Sequence, residues 1–189
     1  MTKLFTEWYI VILRICIIKK LILISLCFIL SSCVYYNTFY NVENSFEEAT
    51  KIIDNDSSLN YNENQQIPNS AKKLLYESIA SSNIVIDKYY DSKYVDDAIY
   101  YIARSYFSLG EFYKSNKYFD DLITNHKTSI YYDESKLWLE YTNLKLGLLD
   151  SVLINVLSIE EKFKQKEKKI DESLFFLLYN LKGDLFLEL

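Results

Sequence analysis

The sequence predicts an all-α protein, and three observations support that class. The 189 residues include only 3 glycines and 1 proline, far fewer than a chain built of hairpins and tight turns requires. Apolar residues recur at spacings of three and four, which is the period of one helix face. Tyrosine and phenylalanine, at 18 and 11 residues, supply much of the bulk that would pack those faces together. We therefore expect long helices with cores rich in aromatic side chains.

The net charge argues against one class of partner. The chain carries 21 basic and 26 acidic residues, a formal net charge of −5, whereas nucleic-acid-binding domains usually have a basic surplus. The 50% hydrophobic fraction is ample for the core of one ordinary domain. We therefore expect no nucleic acid among its partners.

The N-terminal region places a short apolar run behind basic residues. Lys19 and Lys20 precede residues 21 to 33, which read LILISLCFILSSC. A run of about ten apolar residues is short for crossing a bilayer and is typical of an export signal. The alternative is an uncleaved anchor over residues 8 to 30. It would place Arg14 and both lysines within the span, at about 2.5–3.5 kcal/mol each for a central position.

The apolar run ends in four residues that resemble the lipobox of bacterial lipoproteins: Leu30, Ser31, Ser32 and Cys33. The resemblance implies cleavage just before Cys33, which would carry the lipid as the first residue of the mature chain. Residues 1 to 32 would then be a signal peptide that leaves on export. A signal needs only the part from about residue 17, so we expect the true start downstream of Met1.

Residues 33 to 68 combine a membrane-proximal tether, a first helix and a polar loop. Apolar residues predict the helix over residues 38 to 54: Phe39, Val42, Phe46, Ala49 and Ile53. Residues 55 to 68, NDSSLNYNENQQIP, are polar and predict a loop. Pro68 then stands just ahead of the next helix, where a missing N–H costs little.

Residues 69 to 189 predict a series of helices. The first runs from Asn69 to Tyr90, and a second follows whose face includes Ile99, Ile102, Ala103 and Tyr106. Gly110 ends the second helix, because glycine readily adopts the left-handed conformation common at helix C-termini. A third helix carries Phe112, Ser115, Phe119, Leu122 and Ile123.

This pair of helices resembles the tetratricopeptide repeat, a helix–turn–helix unit of 34 residues. The residues at the small, aromatic and turn-glycine positions of that repeat are Ala103, Tyr106, Gly110, Phe112 and Phe119. Ser115 replaces the usual alanine, and Lys127 stands where proline is expected. The resemblance implies a solenoid of helix–turn–helix units, preceded by a cleavable signal helix.

The next unit has its turn glycine at Gly147, 37 residues after Gly110 (147 − 110). Aligned on the two glycines, Glu140 falls at the position of Ala103. A shift of one residue instead gives a clean apolar face of Leu137, Tyr141, Leu144 and Leu148. Because a buried glutamate without a partner is costly, we favour the shifted register.

A third unit is predicted from about Asp171. Its apolar positions are Leu174, Leu177, Leu178, Leu181, Leu185 and Phe186. A terminal helix that caps a solenoid needs a polar outer face, and this segment is too apolar for that role. We therefore expect that further repeats follow residue 189.

The inventory of reactive side chains is small. His126 is the only histidine, and Cys16 and Cys27 would leave with the signal peptide, so little remains to build a transition-metal site. Acidic pairs recur at Glu47–Glu48, Asp96–Asp97, Asp120–Asp121 and Asp133–Glu134. Adjacent carboxylates on a helix point in different directions, so a solvated or dipole-matching role fits them better than catalysis. We expect no enzyme, metal, cofactor or small-molecule substrate.

Residues 89 to 112, YYDSKYVDDAIYYIARSYFSLGEF, together with the lipobox, resemble the outer-membrane assembly lipoproteins of the BamD type. The resemblance implies a lipid-anchored protein on the periplasmic face of the outer membrane. It would help to assemble β-barrel proteins by holding assembly subunits or unfolded barrel substrates. Val34 rather than aspartate follows Cys33, which by that family's sorting pattern favours the outer membrane.

The same resemblance implies a partner-binding groove lined by the first helix of each unit. It places Tyr100, Arg104 and Phe107 in the groove of the first clear unit, and Trp138 in that of the next. Exposed tyrosine, tryptophan and arginine are the residue types that dominate interface energetics. Helical repeats serve other processes too. A cell-division coordinator, a pilus-secretin pilotin, or the repeat domain of a longer, enzyme-linked protein stay open as alternatives.

Overall fold

The computed structural model describes residues 2–56, 67–165 and 171–189. Within residues 2 to 36, it describes the side chains of 14, 15, 17 to 23 and 25. All regular structure in this part of the chain is helical, which confirms the all-α class. The helices are α1 (Thr2–Asn55), α2 (Asn69–Lys88), α3 (Val95–Ser108), α4 (Phe112–Asn125), α5 (Tyr132–Lys145), α6 (Leu149–Gln165) and α7 (Glu172–Glu188).

The chain divides into two compact units, Met1–Asn37 and Thr38–Leu189. The first unit is the N-terminal part of α1 and includes residues 30 to 33, the predicted lipobox, whose side chains lie outside the described residues. The predicted polar loop over residues 55 to 68 also falls mostly outside them. No helix is long and apolar enough to cross a bilayer, a finding that covers only the described residues.

Helices of the second unit pack in sequence as antiparallel pairs. Gly110 and Gly147 connect α3 to α4 and α5 to α6, with φ angles of 75° and 78°. This is the left-handed conformation predicted for Gly110, and glycine adopts it without a Cβ clash. Because the turns are short, the two helices of each pair lie side by side and bury the residues between them.

In each of two helix pairs, a buried serine donates a hydrogen bond to the backbone of the other helix. The Ser115 hydroxyl on α4 donates a hydrogen bond of 2.9 Å to the Ala103 carbonyl oxygen on α3. The Ser78 hydroxyl on α2 donates an equivalent bond of 2.9 Å to the Val42 carbonyl oxygen on α1. Small side chains let the helix backbones approach closely there. The C-terminal part of α1 and α2 therefore form a first pair, joined by the same kind of serine–carbonyl hydrogen bond as α3 and α4.

The second repeat keeps strict glycine register, so the predicted one-residue shift is wrong, although Leu137, Tyr141 and Leu144 of the predicted face are buried. Both ends of α5 lie 37 residues after the corresponding ends of α3 (132 − 95 and 145 − 108). Glu140 therefore takes the place of Ala103 and is only 5% exposed, while Leu148 is exposed. The glutamate is tolerated because it has partners. Its carboxylate accepts hydrogen bonds from the side-chain amides of Asn155 (3.1 Å) and Asn143 (3.4 Å).

The last helix begins where the sequence predicts. The Asp171 carboxylate caps α7 by accepting a hydrogen bond of 3.1 Å from the Ser173 backbone N–H. Leu178, Leu181 and Leu185 are buried against α5 and α6, whereas Phe186, predicted to share their face, is exposed. The buried face of α7 is thus narrower than its apolar sequence suggested.

Candidate functional site

Aromatic pairs join the odd-numbered helices of the repeats, starting with α1 and α3. The Phe39 ring stacks on Tyr94 with centroids 4.3 Å apart. Two helical turns further along, Phe46 meets Tyr101 edge-on at 5.3 Å. Because both members advance by seven residues, the two helices run in parallel. We call these two contacts the α1–α3 frame.

The same frame recurs between α3 and α5. Tyr100 stacks on Tyr131 at 4.0 Å, and Phe107 meets Trp138 edge-on at 5.0 Å. Tyr131 and Trp138 follow Tyr94 and Tyr101 by 37 residues, so the α3–α5 frame occupies equivalent positions (131 − 94 and 138 − 101). Stacked and edge-on aromatic pairs are worth about 0.5–1.5 kcal/mol each beyond the area they bury. The frames fix a common spacing between successive odd-numbered helices.

Arg104 lies at the centre of the α3–α5 frame. Its guanidinium carbon is 3.8 Å from the Trp138 ring centroid, within the range of a cation–π contact. Its Nη1 donates to the Tyr100 hydroxyl at 2.7 Å and lies 3.4 Å from the Glu134 carboxylate. Its Nε is buried and has no hydrogen-bond partner among the described residues. The guanidinium thus retains one donor that the described side chains leave unused.

The Glu134 carboxylate accepts hydrogen bonds from three side chains of this cluster. Besides Arg104, its carboxylate accepts hydrogen bonds from the Tyr100 hydroxyl and from the Trp138 indole N–H at 3.0 Å. Burial raises the pKa of Tyr100, and the charge of Glu134 raises it further, while Arg104 opposes the shift. Tyr100 therefore stays protonated and donates to the carboxylate at neutral pH.

The α1–α3 frame has an acidic centre instead. Glu43 lies between Phe39 and Phe46, as Arg104 lies between Tyr100 and Phe107, and it accepts a 3.4 Å hydrogen bond from the Tyr101 hydroxyl. Asp97 takes the place that Glu134 has in the second frame. Burial, followed by the charges of Asp96 and Glu43, raises the pKa of Asp97 to about 6. The two neighbouring frames therefore carry opposite electrostatics.

The structure brings the four predicted groove residues into one cluster but does not expose all of them. Arg104, Phe107 and Trp138 are half-buried and in mutual reach. Tyr100 is only 4% exposed, so its predicted place on the open groove surface is wrong. The reason is Tyr131, whose ring covers it.

Sequence reasoning missed the other half of the cluster. The sequence predicts a solvated or dipole-matching role for Glu134, which does lie in the first turn of α5. Its side chain nevertheless forms an ion pair with Arg104. The signal that points to it is the 37-residue repeat, which pairs Asp97 with Glu134 (134 − 97) and Tyr101 with Trp138.

His126 is the C-cap residue of α4. Across residues 2–56, 67–165 and 171–189 no group of three or more histidine, cysteine or acidic side chains is placed to hold a metal ion.

Comparison with known proteins leaves the family open. No protein-family model matches the chain, and no curated protein matches its sequence at a significant level.

Proposed function

We propose that the chain is a lipid-anchored scaffold of the tetratricopeptide type that holds partner proteins against its odd-numbered helices. The observation that carries the proposal is the repetition of the aromatic frame at 37-residue spacing, with a different charge at each centre. Solenoid proteins create extended binding surfaces in this way, by repeating one helix pair while varying the side chains on one face.

The Arg104 centre fits the recognition of a partner carboxylate or carbonyl group. Its guanidinium carbon lies 3.8 Å from the Trp138 ring centroid, and 18% of its side chain remains exposed to a partner. A guanidinium fixed in this manner loses little side-chain entropy when it binds a planar acceptor. Around it, the half-buried rings of Phe107 and Trp138 provide apolar contact. Aromatic and arginine side chains in such pockets are typical interaction hot spots.

The process we propose is the assembly of outer-membrane β-barrel proteins on the periplasmic face of the outer membrane. Support comes from the lipobox at residues 30 to 33 and from the resemblance of residues 89 to 112 to BamD-type lipoproteins. In this role Cys33 carries the acyl chains, and the repeats bind assembly subunits or unfolded barrel substrates. The proposal assigns the chain a binding role and no reaction.

Co-purification from crosslinked envelopes tests the proposed process. We expect the tagged chain to recover a large β-barrel protein from the membrane fraction. Cys33→Ala should yield an unprocessed or soluble chain and lose that recovery. Recovery of cell-division or pilus-secretin components without a barrel protein would contradict the barrel-assembly role. Normal membrane retention of a processed Cys33→Ala chain would contradict the lipid anchor.

A further inference from the structure

Helix α7 is apolar on two opposite faces. One face is buried against α5 and α6 by three leucines: Leu178, Leu181 and Leu185. On the other face Phe176, Tyr179 and Phe186 are 70%, 57% and 63% exposed. The solvent face of a surface helix is usually polar, and a helix that is apolar on both faces is normally covered on both. The outer face of α7 therefore has the character of a contact surface.

The exposed rings form one stripe that also contains a glycine. Phe176, Tyr179, Gly183 and Phe186 follow one another at spacings of three, four and three residues, which places them on one side of the helix. We call these four residues the outer stripe. Its regular spacing extends over about three helical turns, which is long enough to pack along a second helix.

Gly183 leaves open space in the middle of the outer stripe. A Cβ added to this glycine would meet no atom within 4 Å among the described residues, so the packing of the chain itself does not require a glycine there. Glycine inside a helix is destabilising relative to alanine. Its presence is explained if a side chain or backbone from outside the chain approaches α7 closely at this position.

Charged side chains beside the outer stripe already have partners within the chain. Lys164 and Lys182 both pair with Glu160, at 2.9 and 2.7 Å. The Asp184 carboxylate accepts a 2.8 Å hydrogen bond from the Tyr141 hydroxyl. Beyond the stripe, acidic residues stand near the two ends of the helix: Glu172 and Glu188. The stripe itself is uncharged, which favours an apolar occupant over an ionic one.

The outer stripe is complementary to itself when two copies of α7 pack antiparallel. Residues 176 and 186, and residues 179 and 183, lie at equal distances on either side of residue 181. In the register centred on residue 181, Phe176 faces Phe186 of the second copy, and Tyr179 faces Gly183 of the second copy. Each tyrosine ring then fills the space above a glycine. A two-fold symmetric interface requires such reciprocal contacts.

The area of the outer stripe is sufficient for a stable pair. At about 200 Å² for each aromatic side chain, its three exposed rings present roughly 400 Å² of surface on each copy. Leu187, which is 87% exposed and lies one turn after Gly183, enlarges the same surface. Two such surfaces together approach the roughly 1,000 Å² that separates specific interfaces from chance contacts.

We propose that two copies of the chain associate through the outer stripe, with their α7 helices antiparallel. The apolar sequence of α7 also predicts a following repeat as its cover, but self-complementarity about residue 181 is a property that only a second copy requires. The association depends neither on the lipid anchor nor on the Arg104 centre. It gives the scaffold two Arg104 centres, so that a partner with two binding segments is held more tightly than by one copy.

Site-specific photo-crosslinking between two copies tests the proposed register. The full-length chain carries p-benzoylphenylalanine in place of Phe176 and is co-expressed with an unsubstituted copy that has a different affinity tag. We expect at least about fivefold more adduct between the two tags than from the same probe in place of Tyr113, because a ring at the centre of an interface is held against the other copy. Tyr113 is the control because it is 82% exposed on α4.

Mass spectrometry of the adduct locates the contact. Attachment near Phe186 of the second copy is expected for the antiparallel register. Attachment near residue 176 of the second copy would contradict that register. Adducts within one chain, to lipid or to another protein would show a different occupant and overturn the proposal.

A substitution at Gly183 tests the association without a probe. Native mass spectrometry of the unsubstituted full-length chain should find two copies, and a single copy would overturn the proposal. Gly183→Leu should reduce the paired fraction about tenfold, because its side chain overfills the space that Tyr179 of the second copy occupies. Circular dichroism should show unchanged folding, since that side chain meets no atom of its own chain.

The matched control adds a leucine elsewhere. Ser158→Leu places it at an exposed position of α6 and should leave the paired fraction unchanged. Equal pairing by the Gly183→Leu and Ser158→Leu chains would show that the copies associate through another surface and would overturn the proposal.

Discussion

The α1–α3 and α3–α5 frames use the same aromatic geometry but differ in charge at their centres. Phe46–Tyr101 and Phe107–Trp138 make equivalent edge-on contacts at 5.3 and 5.0 Å. Glu43 lies near Asp97 in the first frame. Burial, followed by the charges of Asp96 and Glu43, raises the pKa of the Asp97 carboxyl there. In the second frame Arg104 faces Glu134, and the charges are opposite. The comparison separates two tasks: the rings set the spacing of the repeats, and the residue between them sets the local potential.

The largest expected effect comes from breaking a frame. Phe46→Ala should lower the free energy of unfolding by about 3–5 kcal/mol, because it removes a buried ring and leaves a cavity against Tyr101. Urea unfolding followed by circular dichroism measures this change. Tyr113→Ala is the control, since Tyr113 is exposed on α4 and should change stability by no more than about 0.5 kcal/mol. Equal losses from both variants would show that the frame does not hold the repeats.

A smaller loss is expected when the charge of the second frame is removed. Glu134→Gln leaves Arg104 without its counter-charge in a partly buried site, which should cost about 1–3 kcal/mol after allowance for solvent exposure. The neighbouring Asp133→Asn removes a half-buried pair with Lys136, whose side chain is more exposed than that of Arg104 (31% against 18%), and should cost less than about 1 kcal/mol. Urea unfolding at pH 7 distinguishes them. A greater loss from Asp133→Asn would contradict the assignment of Glu134 as the partner of Arg104.

The equivalent substitution in the first frame should have the opposite sign. The pKa of Asp97 is about 6 in the folded chain, against an ordinary value of 3.8, so its ionised form is disfavoured by folding. Asp97 therefore lowers stability progressively as pH rises from about 4 to about 6, and the full penalty persists above that. Asp97→Asn should stabilise the protein by about 1 kcal/mol at pH 7, allowing for its half-exposed position, and by much less at pH 4. If the gain in thermal stability were the same at pH 4 and pH 7, the ionised Asp97 carboxylate could not be its cause.

The local features of the fold could be predicted from the sequence. The starts of α2 and α7, the end of α3 and the turn at Gly110 depend on apolar periodicity, capping residues and glycine φ angles within a few residues. Such signals need no knowledge of distant parts of the chain. The four predicted groove residues lie in one cluster because equivalent positions of successive units are neighbours, but Tyr100 is covered, and the groove itself stays a prediction.

Errors arose wherever a side chain depends on a neighbour from another helix. Glu140 is buried because Asn155 on α6 supplies a hydrogen bond, a partner that helical periodicity cannot identify. Tyr100 is covered by Tyr131, which belongs to the next connection. The sequence pattern does not predict the first helix pair as a repeat, because residues 55 to 68 separate the two halves of its Ser78–Val42 contact. Long-range contacts thus decide burial, whereas the sequence pattern decides only which face is available.

The central claim is that the chain holds partners at the Arg104 centre. Partner capture by variants that each lose one positive charge tests it most directly. Arg104→Gln removes the cation that lies over Trp138, while Lys136→Gln removes a matched cation that lies 3.9 Å from the Tyr132 ring, on the α5 face toward α6. Each cation also forms one ion pair. With Cys33 intact and folding verified by thermal unfolding, we expect Arg104→Gln to reduce recovery of the crosslinked partner about tenfold, as for a hot-spot residue, and Lys136→Gln to leave it unchanged. Undiminished recovery with Arg104→Gln would contradict the account.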